Sequence, residues 1–145
     1  MGGPRWVLCG FVTGVVWNLL SIASLAVWTP TFVASIRGNA PYPALGDAFF
    51  FGVDIAMGIW GIWLYSAIVP RYGSRPTTVV IASTAWWILK TLHSIKWAGS
   101  GFIEIDRNIL LLGVSTLVAA TLSVAVGAWL YQHTAAKPPQ EVPAT

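Results

Sequence analysis

The stretch FFFGVDIAMGIWGIWLY, residues 49–65, is a run of apolar and aromatic side chains with one carboxylate, Asp54, inside it. A helix that crosses a bilayer needs about 20 mainly apolar residues at roughly 1.5 Å rise each. Continued to Val69, this run is long enough. Three other stretches share its character. Trp6 to Trp28 and Ile109 to Tyr131 carry no charge, and Thr77 to Trp97 carries Lys90, His93 and Lys96. The segments outside them hold the Pro and most of the charges. The pattern predicts an all-α polytopic membrane protein, an antiparallel four-transmembrane-helix bundle. Its helices fall at about 6–28, 48–69, 77–97 and 108–131, within one transmembrane domain over residues 1–133. The polar, Pro-rich segment 134–145 reads as a disordered cytoplasmic tail.

Composition agrees. Charged residues are 9 % and hydrophobic residues 56 %, where a soluble domain has about 25 % charged. Mean hydropathy is +0.70. Such a chain cannot cover a water-facing surface with polar groups, so the lipid bilayer is its expected partner. The net charge of +3 comes from scattered basic residues with no patch, which gives no reason to invoke nucleic acid. Cys9, the one cysteine, falls inside the first span and reads as a small packing residue. MGGPR followed by an apolar run resembles a secretory signal with SLA (Ser24–Ala26) as a poor cleavage site. The run is long for a signal, and Trp17 and Asn18 sit in its middle, so an uncleaved first helix is the preferred reading.

Lys and Arg mark the cytoplasmic side. One face collects Arg5, Arg71, Arg75 and Lys137; the other has Arg37, Arg107 and Lys96, diluted by Asp47, Glu104 and Asp106. Both termini are therefore expected in the cytoplasm of a bacterial inner (plasma) membrane. The aromatic belts agree, with Trp6, Tyr72, Trp129 and Tyr131 inside and Trp28, Tyr42 and Trp97 outside. In the inner loop VPRYGSRPT (69–77), the second helix is expected to end near Pro70, Gly73 to allow a tight turn, and Pro76 to fall in the first turn of the third. So short a link makes helices two and three neighbours.

An ionised group in hydrocarbon costs at least ~3 kcal/mol on insertion scales. Counting rise from the inner loop puts Asp54 about 24 Å deep, Lys90 about 21 Å and His93 about 25 Å. Opposite charges at one level can offset each other's cost, so Asp54 is expected to pair with Lys90, His93 or both. Asp54, Gly58, Gly61 and Tyr65 share one helical face, and so do Trp86, Lys90, His93 and Trp97. Trp86 falls level with the Gly58/Gly61 notch. In the first span Gly10, Gly14, Asn18 and Ser21 form a stripe. Its GxxxG serves packing within the bundle at least as readily as homodimerisation, and Asn18 should face the other helices.

Trp17, Trp60, Trp86 and Trp87 all fall near the midplane, although indole N–H groups prefer the interface. Packing against protein or lipid is one account. An aromatic-lined cavity for a quinone, isoprenoid or lipid tail is another. The two histidines lie at opposite sides, against bis-histidine haem; zinc ligands are lacking; no nucleophile–base pair, Walker motif or GxGxxG is present. No metal or other cofactor is expected, and an enzyme is the least supported class.

The segment WLYSAIVPRYGSRPTT (63–78) resembles an uncharacterised family of small bacterial four-helix membrane proteins. Its shared features are a Gly-rich first helix with an Asn, a WLY…I-x-P-R-[YF]-G-x-x-P loop, a Trp in helix three, and GAWLY (127–131) closing helix four. The resemblance spans residues 6–131, with Gly-Ser-Arg-Pro (73–76) where the family often has Gly-Pro-Gly-Pro. It implies the four-helix fold and brings no catalytic residues.

Three functions remain open from sequence. One is an ion/proton-linked or small-ligand transport or sensing module, with a polar site between helices two and three. Four short helices enclose little room, so this reading carries homo-oligomerisation with it; the ligand itself is unknown. The second is a structural or accessory subunit in which a buried Asp–Lys/His pair locks the fold. The third is lipid or quinone binding in the Trp-lined cavity.

Overall fold

A computed structural model describes residues 3–30, 43–99 and 105–134, apart from the side chains of 3–4, 43–47, 93–94 and 97–98. The described residues form four α-helices: α1 (Gly3–Trp28), α2 (Pro43–Tyr72), α3 (Pro76–Gly99) and α4 (Arg107–His133). Among them α1, α2 and α4 are long and apolar enough to cross a membrane. The 24-residue α3 falls short in apolarity, because Lys90 and Lys96 share it with several Thr and Ser residues. The expected tail and outer-loop roles of Arg37, Tyr42, Glu104 and Lys137 lie outside the described residues, as do the side chains of Asp47 and Trp97.

Helix α2 ends within two residues of Pro70. Pro70 lies inside α2, which runs on to Tyr72. Pro70 has no N–H to offer the carbonyl four residues back and crowds it, and the helix stops two residues later. The stop comes from Gly73, whose φ of +74° suits a residue without Cβ. Its N–H donates to the Val69 carbonyl at 2.7 Å, which satisfies a C-terminal carbonyl of α2. Thr78 Oγ1 then donates to the Gly73 carbonyl at 2.7 Å, tying the turn to α3, which starts at Pro76 as expected. At the start of α4, Asp106 is an N-cap that accepts from Ile109 N–H at 2.8 Å.

Packing is led by α1, which lies along α2 most extensively and along α4 next; α3 leans on α4 more than on α2. Glycines explain the first contact. A Cβ on Gly58 would run into the Gly14 backbone and the Gly10 carbonyl, and one on Gly10 into Ile59. The GxxxG of α1 is thus filled from within the chain, by the α2 backbone. A Cβ on Gly127 of α4 would likewise run into Thr13 of α1 and Ile62 of α2. The core gathers Trp17, Tyr65, Ala82, Trp86, Ala119, Ala120, Val124 and Ala128. Two indoles fill the diagonal from α1 to α3, and small residues on α4 make room for them. Buried hydroxyls are satisfied locally, as in Thr13 to the Cys9 carbonyl (2.9 Å) and Ser123 to the Ala119 carbonyl (2.7 Å).

Candidate functional site: a carboxylate held by α1

Asp54 is held by α1. Trp17 Nε1 donates to Asp54 Oδ1 at 2.8 Å, and Asn18 Nδ2 donates to Oδ2 at 2.7 Å. These donors are consecutive in sequence. On a helix such neighbours point about 100° apart, and the carboxylate fits between them, one oxygen to each. The close Gly58–Gly14 contact one turn below brings the two backbones near enough for both bonds to be short. Hydrogen bonds to a charged group are worth roughly 1.5–3 kcal/mol each, so two of them match the insertion cost of about 3 kcal/mol.

Lys90 reaches the same place from α3. Its Nζ lies 4.2 Å from the centroid of the Trp17 ring and within Coulombic reach of Asp54. The indole thus offers its face to a cation and its N–H to an anion, which suits its quadrupole and its polar edge. Trp86, one turn before Lys90, meets Trp17 edge-on with centroids 4.8 Å apart and planes at 61°. The Trp86 ring also rests against Gly61, where an added Cβ would meet Cε3 at 3.7 Å, as the notch reading expects. Gly58 serves α1 instead.

The site therefore joins three helices, where the sequence placed it between two. Trp17, Asn18, Asp54, Lys90 and Trp86 come together. The side chain of His93 lies outside the described residues. Both Trp17 and Trp86 are 1 % exposed, whereas Asp54 and Lys90 are half-buried. Trp86 Nε1 is buried with no hydrogen-bond partner among the described residues. No group of three or more metal-ligating side chains occurs among the described residues.

The four midplane tryptophans do not line one cavity. Trp60 is 48 % exposed and packs on Trp63, with centroids 4.9 Å apart, on the outer side of α2. Trp87 faces α4, where its N–H meets the Gly113 carbonyl at 3.1 Å and Thr116 Oγ1 at 3.2 Å. The reason is helical: Trp86 and Trp87 are adjacent and point about 100° apart, and Trp60 lies off the Asp54–Gly58–Gly61 face. Equal depth does not imply a common side.

The chain matches no protein-family model, no curated protein and no solved structure.

Sequence reasoning grouped Asn18 with Asp54, Lys90 and His93 as candidate polar-site residues and turned it toward the other helices, but did not single out the direct Asn18–Asp54 bond. It missed two further links between helices. Gln132 Nε2 donates to Tyr65 OH at 2.6 Å, and Ser83 and Thr121 hydroxyls share a 3.1 Å bond. Isolated hydroxyls and amides in apolar runs were the available signal, because such groups need partners.

Proposed function

We propose that the chain is a polytopic protein of a bacterial inner membrane, an antiparallel bundle with both termini cytoplasmic, akin to the small four-helix family that its loop resembles. Its low charge supports this, as does the outward apolar surface. Only 33, 22 and 28 % of the most apolar windows of α1, α2 and α4 are buried inside the protein, so most of that surface needs lipid. A reporter fused after Thr145 should be cytoplasmic, and a periplasmic signal would overturn the orientation.

Within that protein the Trp17–Asn18–Asp54–Lys90 centre is read as an ion/proton-linked or small-ligand site. The observation that carries this reading is the unpartnered Trp86 N–H, on a ring that packs against Trp17, which itself binds Asp54 and carries Lys90 over its face. An orphaned buried donor costs about 1–3 kcal/mol, which an acceptor on a ligand or a water would recover. Intramembrane ionisable groups are functional candidates by default. The test is reconstitution in liposomes, with proton, Na⁺ and K⁺ flux followed for the wild type and Asp54→Asn. Flux above empty liposomes that Asp54→Asn abolishes, in a protein that remains folded, supports the reading. Wild-type liposomes as tight as empty ones speak against the transport form of it.

A second reading, a structural or accessory subunit, is favoured by the satisfaction of both Asp54 oxygens from α1. It expects Asp54→Asn to unfold the bundle and no ligand to change its stability. Under it, the centre is a lock on helix register.

A further inference from the structure

At the end of the bundle that carries Arg71 and Arg75, a groove of about 350 Å³ runs between the α2–α3 turn, the start of α3 and the last turns of α4. Its mouth is polar, with Ser74, Arg75 and Gln132; its floor is apolar, with Val79, Ala125 and Ala128. Trp129, 56 % exposed, forms one rim and packs on His133 with ring centroids 4.5 Å apart. From Thr121 to Gln132 the groove follows α4 for about 16 Å. One leaflet of the hydrocarbon core is about 15 Å deep, half of roughly 30 Å.

We propose that this groove is a binding site for one anionic phospholipid of the inner leaflet. The proposal rests on the membrane reading above and is independent of the Asp54 centre. Three features select the occupant. The mouth offers a guanidinium and a hydroxyl, donors suited to a phosphate. Charge complementarity is one-sided: the described acidic side chains, Asp54 and Asp106, lie elsewhere, while Arg75 lines the mouth. The floor continues as an apolar channel of one leaflet's depth, which suits an acyl chain and not a free anion. An indole at the rim matches the headgroup level, where Trp is favoured.

The test uses the full chain, purified in a mild detergent, with binding read by native mass spectrometry and by the rise in melting temperature on adding lipid. The probes are phosphatidylglycerol, phosphatidylcholine of the same chains, and glycerol 3-phosphate. The variants are Arg75→Gln and Ala125→Phe, the second filling the floor at a half-buried position, with Arg71→Gln as the control. Phosphatidylglycerol is expected to stay bound and to raise the melting temperature, with phosphatidylcholine and glycerol 3-phosphate weaker by about tenfold or more. Arg75→Gln and Ala125→Phe should each lose that preference, and Arg71→Gln should keep most of it. Equal binding of the two lipids overturns the proposal, as does a preference that survives both groove variants. An equal effect of glycerol 3-phosphate would make the site one for a soluble anion and overturn the lipid assignment. Failure of the membrane reading shows separately: the protein would leave the membrane fraction on a carbonate wash without detergent.

Discussion

Trp17 donates its indole N–H to Asp54 Oδ1 across 2.8 Å, from the middle of α1 to the N-terminal half of α2. The same ring carries Lys90 Nζ over its face, 4.2 Å from the centroid. One side chain therefore serves an anion and a cation that belong to different helices. An aliphatic residue at position 17 would fill the space and satisfy neither charge.

Trp17→Phe tests that dual role. It keeps a ring for Lys90 and Trp86 but removes the donor to Asp54. The expected loss is about 1.5–3 kcal/mol, read as a lower melting temperature by circular dichroism in detergent. Trp60→Phe, on the exposed outer side of α2, should change stability by less than about 0.5 kcal/mol.

The charges themselves are tested by Asp54→Asn, Lys90→Met and the double variant. Each single change leaves one charge in an apolar setting without its opposite. Breaking a buried pair costs up to about 3–5 kcal/mol, and exposure at this site puts the expected loss at the lower end or below. The double variant should recover part of it, with a coupling of about 0.5–3 kcal/mol. Strict additivity of the two melting-temperature shifts would show that Lys90 and Asp54 do not act on each other.

Close approach of α1 and α2 depends on Gly58. Gly58→Ala places a methyl against the Gly14 backbone and the Gly10 carbonyl, rigid atoms that cannot step aside. Overpacking of this kind costs about 1–3 kcal/mol, occasionally more. Gly52, six residues earlier in the same helix, has nothing within 4 Å of an added Cβ. Gly52→Ala should be neutral or stabilise by up to about 1 kcal/mol. Equal effects of the two substitutions in a thermal melt would place the helix contact elsewhere.

Asp106 caps α4 through Ile109 N–H at 2.8 Å. Asp106→Ala should cost about 1 kcal/mol, and Asp106→Asn much less, since Asn caps nearly as well as Asp. Chemical denaturation of the three proteins separates the cap from the charge: if Asn is as damaging as Ala, the carboxylate's charge is what matters.

Much of the architecture was legible from residues 49–65 outward. Four apolar runs separated by Pro, Gly and charge give four helices, because period and length are local properties of the chain. Gly73 and Pro76 marked the turn between α2 and α3, since positive φ and a first-turn proline are backbone requirements of single residues. Asp54 was visible as a problem for the same reason: the cost of a charge in an apolar run does not depend on the fold. Pro70 marked the end of α2 to within two residues, and the stop itself comes from Gly73, whose positive φ is a local backbone requirement. Asp106 was read as a charge diluting the basic residues of one face, although its place just before the apolar run of α4 suits an N-cap.

The sequence by itself determined that this chain is helical, apolar and burdened with a mid-helix carboxylate that needs partners. Only the tertiary structure decided who those partners are. Depth along a helix follows from counting residues, and it placed Asp54, Lys90 and Trp86 in adjoining layers. The side toward which each group points depends on how the helices are rotated about their axes and which neighbours they take. Here the Gly10–Gly14–Gly58 contact draws α1 onto α2 more closely than α3. That contact gives Asp54 to Trp17 and Asn18 and leaves Lys90 to approach over the indole between them.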